Sequence, residues 1–317
     1  MASQTHHLRV AIIGAGAMAR EHIRVFRDIR GVEISAIWNR TRVKAEQLAR
    51  EFNIPLVADD LDRLQSVSRA KLAIIAVYEP AIKRVMERAL KQDWSILMEK
   101  PIGLNWEEAK KIADLAGALK RQVFVGLNRR WLSSTQAVLA DIEGDPEPRF
   151  IHVQDQQSLD VARSIGHVED VVANWMYANS VHLVDYVRIF GRGAVQNVQH
   201  IERWNPRKPG VVLATIKFDS GDIALYEGMW SGPGPWACTV TTARRRWEMR
   251  PLEKAAYQNA GERSLNSIEV SAWDAAFKPG FRLQAEKVVS ALGGAAGAVE
   301  LSDALHSMRL VHDLFAV

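Results

Sequence analysis

Gly14, Gly16 and Ala19 stand at the spacing G-x-G-x-x-A within Gly14-Ala15-Gly16-Ala17-Met18-Ala19. An apolar run, Leu8–Gly14, leads into them, and a helix-like stretch comes after. In that setting each small residue has its own task. Gly14 permits a tight turn, Gly16 lets backbone approach a pyrophosphate, and Ala19 lets a helix pack closely on a strand. The helix start, with Ala17 and Met18, offers free N–H groups and a positive dipole end to phosphate oxygens. The chemistry indicated is the binding of a dinucleotide.

An acid that holds the adenosine ribose hydroxyls is expected about 20 residues beyond such a loop. Asn39 occupies that place, followed by Arg40, Thr41 and Arg42. A carboxylate repels a 2′-phosphate, whereas an amide, a hydroxyl and guanidinium groups bind it. The expectation is a preference for NADP(H), with NAD(H) as the lesser ligand. A second reactive group comes after the apolar run Ser95–Met98, in Glu99-Lys100-Pro101. Ligands of open α/β sheets bind beyond the carboxyl ends of strands. Lys100 is thus placed to orient a substrate hydroxyl and, with a lowered pKa, to share in proton transfer. The Lys100–Pro101 bond is a candidate for the cis form, which proline makes accessible.

The elements that position these groups are legible in the hydrophobic pattern. The chain has 317 residues, which suits two domains. Residues 1–126 alternate short apolar runs (Leu8–Gly14, Val32–Trp38, Lys71–Val77, Ser95–Met98, Gln122–Gly126) with amphipathic stretches. Ala109, Ile112, Ala113, Ala116 and Leu119 have the spacing of one buried helical face. Alternation of this kind predicts a parallel sheet covered on both faces. Residues 127–317 differ. Arg149–Asp155, Ala194–His200, Val211–Phe218, Ile223–Trp230 and Ala237–Thr242 read as strands with little helix between them, and Asp219-Ser220-Gly221-Asp222 as a turn. Val171–Phe190, Phe281–Leu292 and Ser302–Phe315 read as helices, and the segment 155–173 as a loop. The fold class expected is α/β: an N-terminal Rossmann dinucleotide-binding domain, then a C-terminal α+β domain with an open, mostly antiparallel sheet. A C-terminal helix is a candidate to pack back on the first domain.

The composition excludes several other classes. Net charge is +4, spread along the chain, and the one dense run, Arg244-Arg245-Arg246, reads as a turn or subunit contact rather than a nucleic-acid patch. Cys238 is the single cysteine, so the chain forms no internal disulfide and fits a reducing, cytoplasmic setting. His6 and His7 belong to a short polar leader. No apolar run reaches membrane-spanning length, and no set of Cys and His has zinc spacing, so neither membrane nor metal is expected.

With these motifs assembled, the chain resembles the GFO/IDH/MocA oxidoreductases, the glucose–fructose oxidoreductase and inositol dehydrogenase group. The resemblance runs nearly the whole length. It rests on the Gly14–Ala19 loop, on Glu99-Lys100-Pro101, on Gly126-Leu127-Asn128-Arg129-Arg130, and on His182-Leu183-Val184-Asp185. It implies hydride transfer between nicotinamide and a hydroxyl or carbonyl carbon of a sugar, cyclitol or nucleotide-sugar. It also implies cofactor contacts at Val77, Glu99 and Lys100, and catalytic roles for Lys100 and His182, the latter as general acid–base. Asn128, Arg130, Tyr177, Asn179 and Asp185 are then candidates to bind substrate. Asp185, one helical turn beyond His182, is placed to orient the imidazole or to make a structural contact. Two departures stand out. Ala178 occupies a position where family dehydrogenases often carry an aspartate, leaving any proton relay to Lys100 and His182. Tyr78 comes after Val77 where a small hydroxyl residue is common, altering the cofactor edge. The loss of the aspartate gives weight to one alternative, a non-catalytic cofactor-binding sensor; the resemblance leaves open a further one, an NAD-dependent glycosidase of the same fold. The second sheet, rich in apolar and aromatic residues, is expected to join copies of the chain as a homodimer or homotetramer.

Overall fold

Val10 to Ile13 are fully buried, as the near-continuous apolar run requires of a strand covered on both faces. The computed structural model describes residues 7–315; His6 lies outside them. In chain order the elements are β1 (Leu8–Ile13), α1 (Ala17–Arg27), β2 (Val32–Trp38), α2 (Arg42–Phe52), α3 (Leu64–Ser68), β3 (Leu72–Ile75), α4 (Ile82–Ala89), β4 (Ser95–Glu99), α5 (Trp106–Ala118) and β5 (Val123–Gly126). Next come α6 (Ser133–Ile142), β6 (Phe150–Gln156), α7 (Leu159–Ser164), α8 (Glu169–Ala173), a π-helical turn (Met176–Ser180) and α9 (Val181–Phe190). The rest comprises β7 (Val195–Glu202), β8 (Val211–Phe218), β9 (Ile223–Met229), β10 (Trp236–Thr241), β11 (Arg245–Met249), β12 (Ala255–Asn259), β13 (Asn266–Ser267), α10 (Ala272–Ala276), α11 (Phe281–Leu292) and α12 (Leu301–Phe315).

The described residues form two compact units, residues 7–127 with 276–305, and residues 128–275 with 306–315. In the first, five parallel strands lie in the order β2-β1-β3-β4-β5. Single bridges close both edges: Ile37 to Val57 beside β2, and Phe124 to Glu300 beside β5. The order reverses at β1, so the crevice between the carboxyl ends of β1 and β3 is the topological switch point. The core on one side joins Ile23 and Phe26 of α1 to Phe281, Ala285 and Val288 of α11. Helix α5 buries Ala109, Ile112 and Ala116, whereas Leu119, expected on that face, is exposed at the C-cap.

The second unit is an eight-stranded sheet in the order β13-β12-β11-β10-β6-β9-β8-β7. Among the described residues its one parallel pair is β6 with β9. Helix α9 packs on β6, β9 and β10, and is buried from Val181 through Val187. That explains its apolar character on nearly every side. Three expectations need correction. The segment 155–173 carries two short helices, α7 and α8, rather than a loop. The helix expected over Val171–Phe190 is broken into α8, the π turn and α9. Strands β11 to β13 lie beyond those expected. The arginine run falls where β11 begins, and each of its cations meets an acid: Arg244 pairs with Asp145, Arg245 with Asp141, and Arg246 with Glu248.

Candidate active site

The loop between β1 and α1 is built around two glycines with different constraints. Gly14 has φ +116°, and a Cβ there would lie 2.1 Å from the Ala76 carbonyl oxygen. Its backbone must therefore be free of a side chain so that the ends of β1 and β3 can approach. Gly16, the N-cap of α1, has extended backbone, and a Cβ on it meets nothing within 4 Å. Open space next to Gly16, at a helix end with no acid in its first turn, is what a pyrophosphate needs. Ala17 and Met18 open the helix there, and Ala19 is fully buried against the sheet. The residues present fit a dinucleotide.

Beside this loop, at the switch point, lies a pocket of about 220 Å³. Asn39, Arg40, Thr41 and Val77, expected to contact the cofactor, line it together with Tyr78. The Asn39 amide donates to the Thr41 carbonyl at 2.9 Å, which shapes the turn into α2. Arg42 does not line the pocket; it is held by Glu46 and Asp59. Two other cations do, Lys44 in the first turn of α2 and Arg84 in the first turn of α4. Sequence reasoning missed both. Their signal was position alone, since each opens a helix that comes after a strand end. No carboxylate is among the described residues that line this pocket.

At the end of β4 the Glu99 carboxylate turns toward His22 of α1. Its Oε1 lies 2.7 Å from Nε2 of His22, and His22 is fully buried against the Phe281 ring. The Glu99 side chain is thus an interior partner of α1. The next residue is Lys100, half-buried, and the Lys100–Pro101 bond is cis. His22 went unnoticed in the sequence, although it interrupts the apolar face made by Ile23, Val25 and Phe26.

The second unit carries the remaining candidates. His182 is the second residue of α9 and 7% exposed. Its ring centroid lies 6.5 Å from that of Trp236, and the Arg129 guanidinium sits 4.7 Å over the Trp236 ring. Asn128 and Arg130, both half-buried, begin this unit in a short 3-10 turn. Arg130 holds Asp185 through two bonds of 2.7 Å, and the Ser307 hydroxyl donates to Asp185 at 2.6 Å. Asp185 therefore makes the structural contact rather than orienting His182, and both residues serve as an internal clamp. Tyr177 is 1% exposed, with its hydroxyl 3.3 Å from His312 Nδ1, and is a core residue. Asn179 donates its amide to Gln157 Oε1 at 2.9 Å. Ala178 is buried.

Asp155, at the end of the expected strand Arg149–Asp155, is buried between sheet and helix. Burial pushes its carboxyl above the ordinary carboxylate range, against hydrogen bonds from the Tyr226 hydroxyl and the Gln157 amide. The Tyr226 phenol is pushed well up by the same burial and by the adjoining acid. Among the described residues no three His, Cys, Asp or Glu side chains are grouped as metal ligands. No helix there is long and apolar enough to cross a membrane.

Comparison with known proteins agrees with this geometry. Residues 8–127 match GFO/IDH/MocA, described as an oxidoreductase family with an NAD-binding Rossmann fold. An inositol 2-dehydrogenase of Pseudarthrobacter chlorophenolicus is 28% identical over 199 residues, 62% of this chain and 57% of that protein. The match thus spans little more than half the length of that relative. A UDP-N-acetylglucosamine 3-dehydrogenase from Acidithiobacillus ferrooxidans has the same fold at TM-score 0.79 and 15% identity, over 98% of this chain and 97% of its own. So does an oxidoreductase from Agrobacterium radiobacter, solved with NAD+, L-tartaric acid and magnesium, at TM-score 0.76 and 17% identity, over 96% and 94%. Over residues 8–127 the chain matches the NAD-binding Rossmann domain of the GFO/IDH/MocA oxidoreductase family.

Proposed function

We propose that this chain is an NADP-preferring dehydrogenase or reductase acting on a CH–OH carbon of a sugar, cyclitol or nucleotide-sugar. The observation that carries the cofactor preference is the switch-point pocket, rimmed by Arg40, Lys44 and Arg84, with no acid among its described lining residues. Three cations there complement a 2′-phosphate through charge-assisted hydrogen bonds. The α1 N-terminus binds the pyrophosphate, and Gly16 leaves it room. The cofactor, when bound, supplies or accepts the hydride. Lys100 orients the substrate hydroxyl, and the His182 imidazole takes up or returns its proton, since an imidazole nitrogen can both accept and donate one. The relatives that act on inositol and on a nucleotide-sugar support the substrate class. A screen of sugars, cyclitols and nucleotide-sugars with NADP+, read as absorbance of the reduced cofactor, tests the reading. Turnover with one class, lost in both Lys100→Ala and His182→Ala, is expected; turnover unaffected by either change contradicts it.

We further propose that copies of the chain associate through the sheet face opposite α9, in the reducing cytoplasm that a buried free Cys238 suits. That face carries Phe150, Ile223, Leu225 and Met229, with Phe150 and Ile223 well exposed in the single chain.

A further inference from the structure

Gln157, 3% exposed, comes directly after β6, and its direction is fixed by the groups it meets. The Trp175 indole N–H, which can only donate, lies 2.9 Å from Gln157 Oε1. Asn179 Nδ2 donates to the same oxygen. The amide nitrogen must face the other way, and it donates to Asp155 Oδ1 at 2.5 Å. Asp155 Oδ2 in turn accepts from the Tyr226 hydroxyl on β9 at 2.7 Å. The Gln157 backbone is tied as well, its N–H donating to the Met229 carbonyl at 2.8 Å. A continuous run of hydrogen bonds thus leads from β9 through the end of β6 to both ends of the π turn Met176–Ser180. Apart from half-buried Asn179, the side chains in it are almost wholly removed from water. A polar network so placed is costly unless complete, and specific when complete.

The turn it holds is not one a helix adopts by default. A π turn inserts one extra residue into an α-helical path and rotates the downstream helix by about 100°. His182 comes two residues later and Asp185 three beyond that. With the turn in place, His182 neighbours Trp236, while Asp185 reaches Arg130 and Ser307. Without the extra residue, α9 would enter rotated, and both side chains would leave those partners.

We infer that Gln157 and Asp155 are positioning residues, which hold the π turn so that α9 presents His182 in its working direction. This rests on the role proposed for His182 above. Neither residue meets the reacting atoms; they act through the turn.

The test compares Gln157→Met, Trp175→Phe and Asp155→Asn with the wild-type full chain and with His182→Ala. Gln157→Met removes the acceptor and the donor together. Trp175→Phe removes one donor and keeps a ring. Asp155→Asn still offers Gln157 an acceptor and is the conservative control. Two quantities are read: turnover of the substrate class found by the screen, and the ¹³C NMR signal of the His182 ring in cofactor-free protein, assigned by its loss in His182→Ala. Gln157→Met and Trp175→Phe are expected to displace that signal and to lower kcat about tenfold or more, since small misplacements are costly, with the cofactor KM within about twofold. Asp155→Asn is expected to keep both near wild type. A Gln157→Met protein that melts lower yet keeps the His182 signal and kcat overturns the inference, leaving Gln157 a packing residue. If Gln157→Met does not fold, Trp175→Phe decides by the same two readings. Unchanged turnover in His182→Ala contradicts the catalytic role instead, while the NMR displacement still reports whether the network sets the imidazole.

Discussion

Arg130 and Asp185 meet as fork and carboxylate, with Arg130 Nε and Nη2 each donating to one Asp185 oxygen at 2.7 Å. Asp185 is 2% exposed and also accepts from Ser307. Removing one partner of such a pair strands the other charge away from water. Asp185→Ala is expected to cost about 3 kcal/mol or more, read as a shift of the urea midpoint. A loss below about 1 kcal/mol, the range of a surface pair, would show that the clamp is not structural.

The two glycines of the loop separate stability from binding. Gly14→Ala forces both a positive φ and a clash with the Ala76 carbonyl, so it should lower Tm and abolish dinucleotide binding together. Gly16→Ala meets nothing in the protein. It should leave Tm unchanged while weakening dinucleotide binding, because the added methyl occupies the phosphate approach. Thermal melts beside fluorescence titrations check both, and unchanged affinity in Gly16→Ala would place the pyrophosphate elsewhere.

Arg84→Ala tests the cation that the sequence did not reveal. The group is exposed, so its contribution is modest: about fivefold weaker NADPH binding, with NADH binding nearly unchanged. Equal loss for the two cofactors would mean that Arg84 does not recognise a 2′-phosphate.

Asp155 predicts a pH dependence of stability. Its folded pKa is raised by burial. The folded state therefore holds this proton more tightly than the unfolded chain, and stability falls as pH rises through the range between the ordinary and the raised value. Asp155→Asn lacks this term. Its stability relative to wild type should improve as pH rises above the ordinary carboxylate range, measured by urea denaturation across a pH series. A relative gain by wild type over the same interval would mean that the carboxylate is stabilised in place.

Association through the open sheet face is checked by sedimentation. The wild type is expected to form dimers or tetramers at micromolar concentration, and Leu225→Arg, at the centre of that face, to be monomeric. A monomeric wild type would contradict the proposed interface.

The repeating units of the fold were legible because they rest on local pattern. Apolar runs gave the five parallel strands, and the G-x-G-x-x-A loop lay in its strand–turn–helix setting. Pairing across the chain leaves no such local mark. Arg130 and Asp185 became candidate substrate ligands through the motifs that carry the family resemblance, yet they pair with one another across 55 residues. The pairing of Glu99 with His22, 77 residues away, left no mark in the sequence either. Asp155 offered a readable signal that went unused: it shares the buried parity of Ile151 and Val153 on β6, where an acid needs an internal partner. The π turn had no signature at all, since its sequence continues a helix.

The dinucleotide site meets its sharpest test in a tryptophan-quenching titration of the purified wild-type chain with NADPH and with NADH. Saturable binding of both is expected, with NADPH the tighter by about tenfold or more, as several charge-assisted contacts to one phosphate would give. Binding of neither, by protein that carries no cofactor from purification, would contradict the dinucleotide site itself.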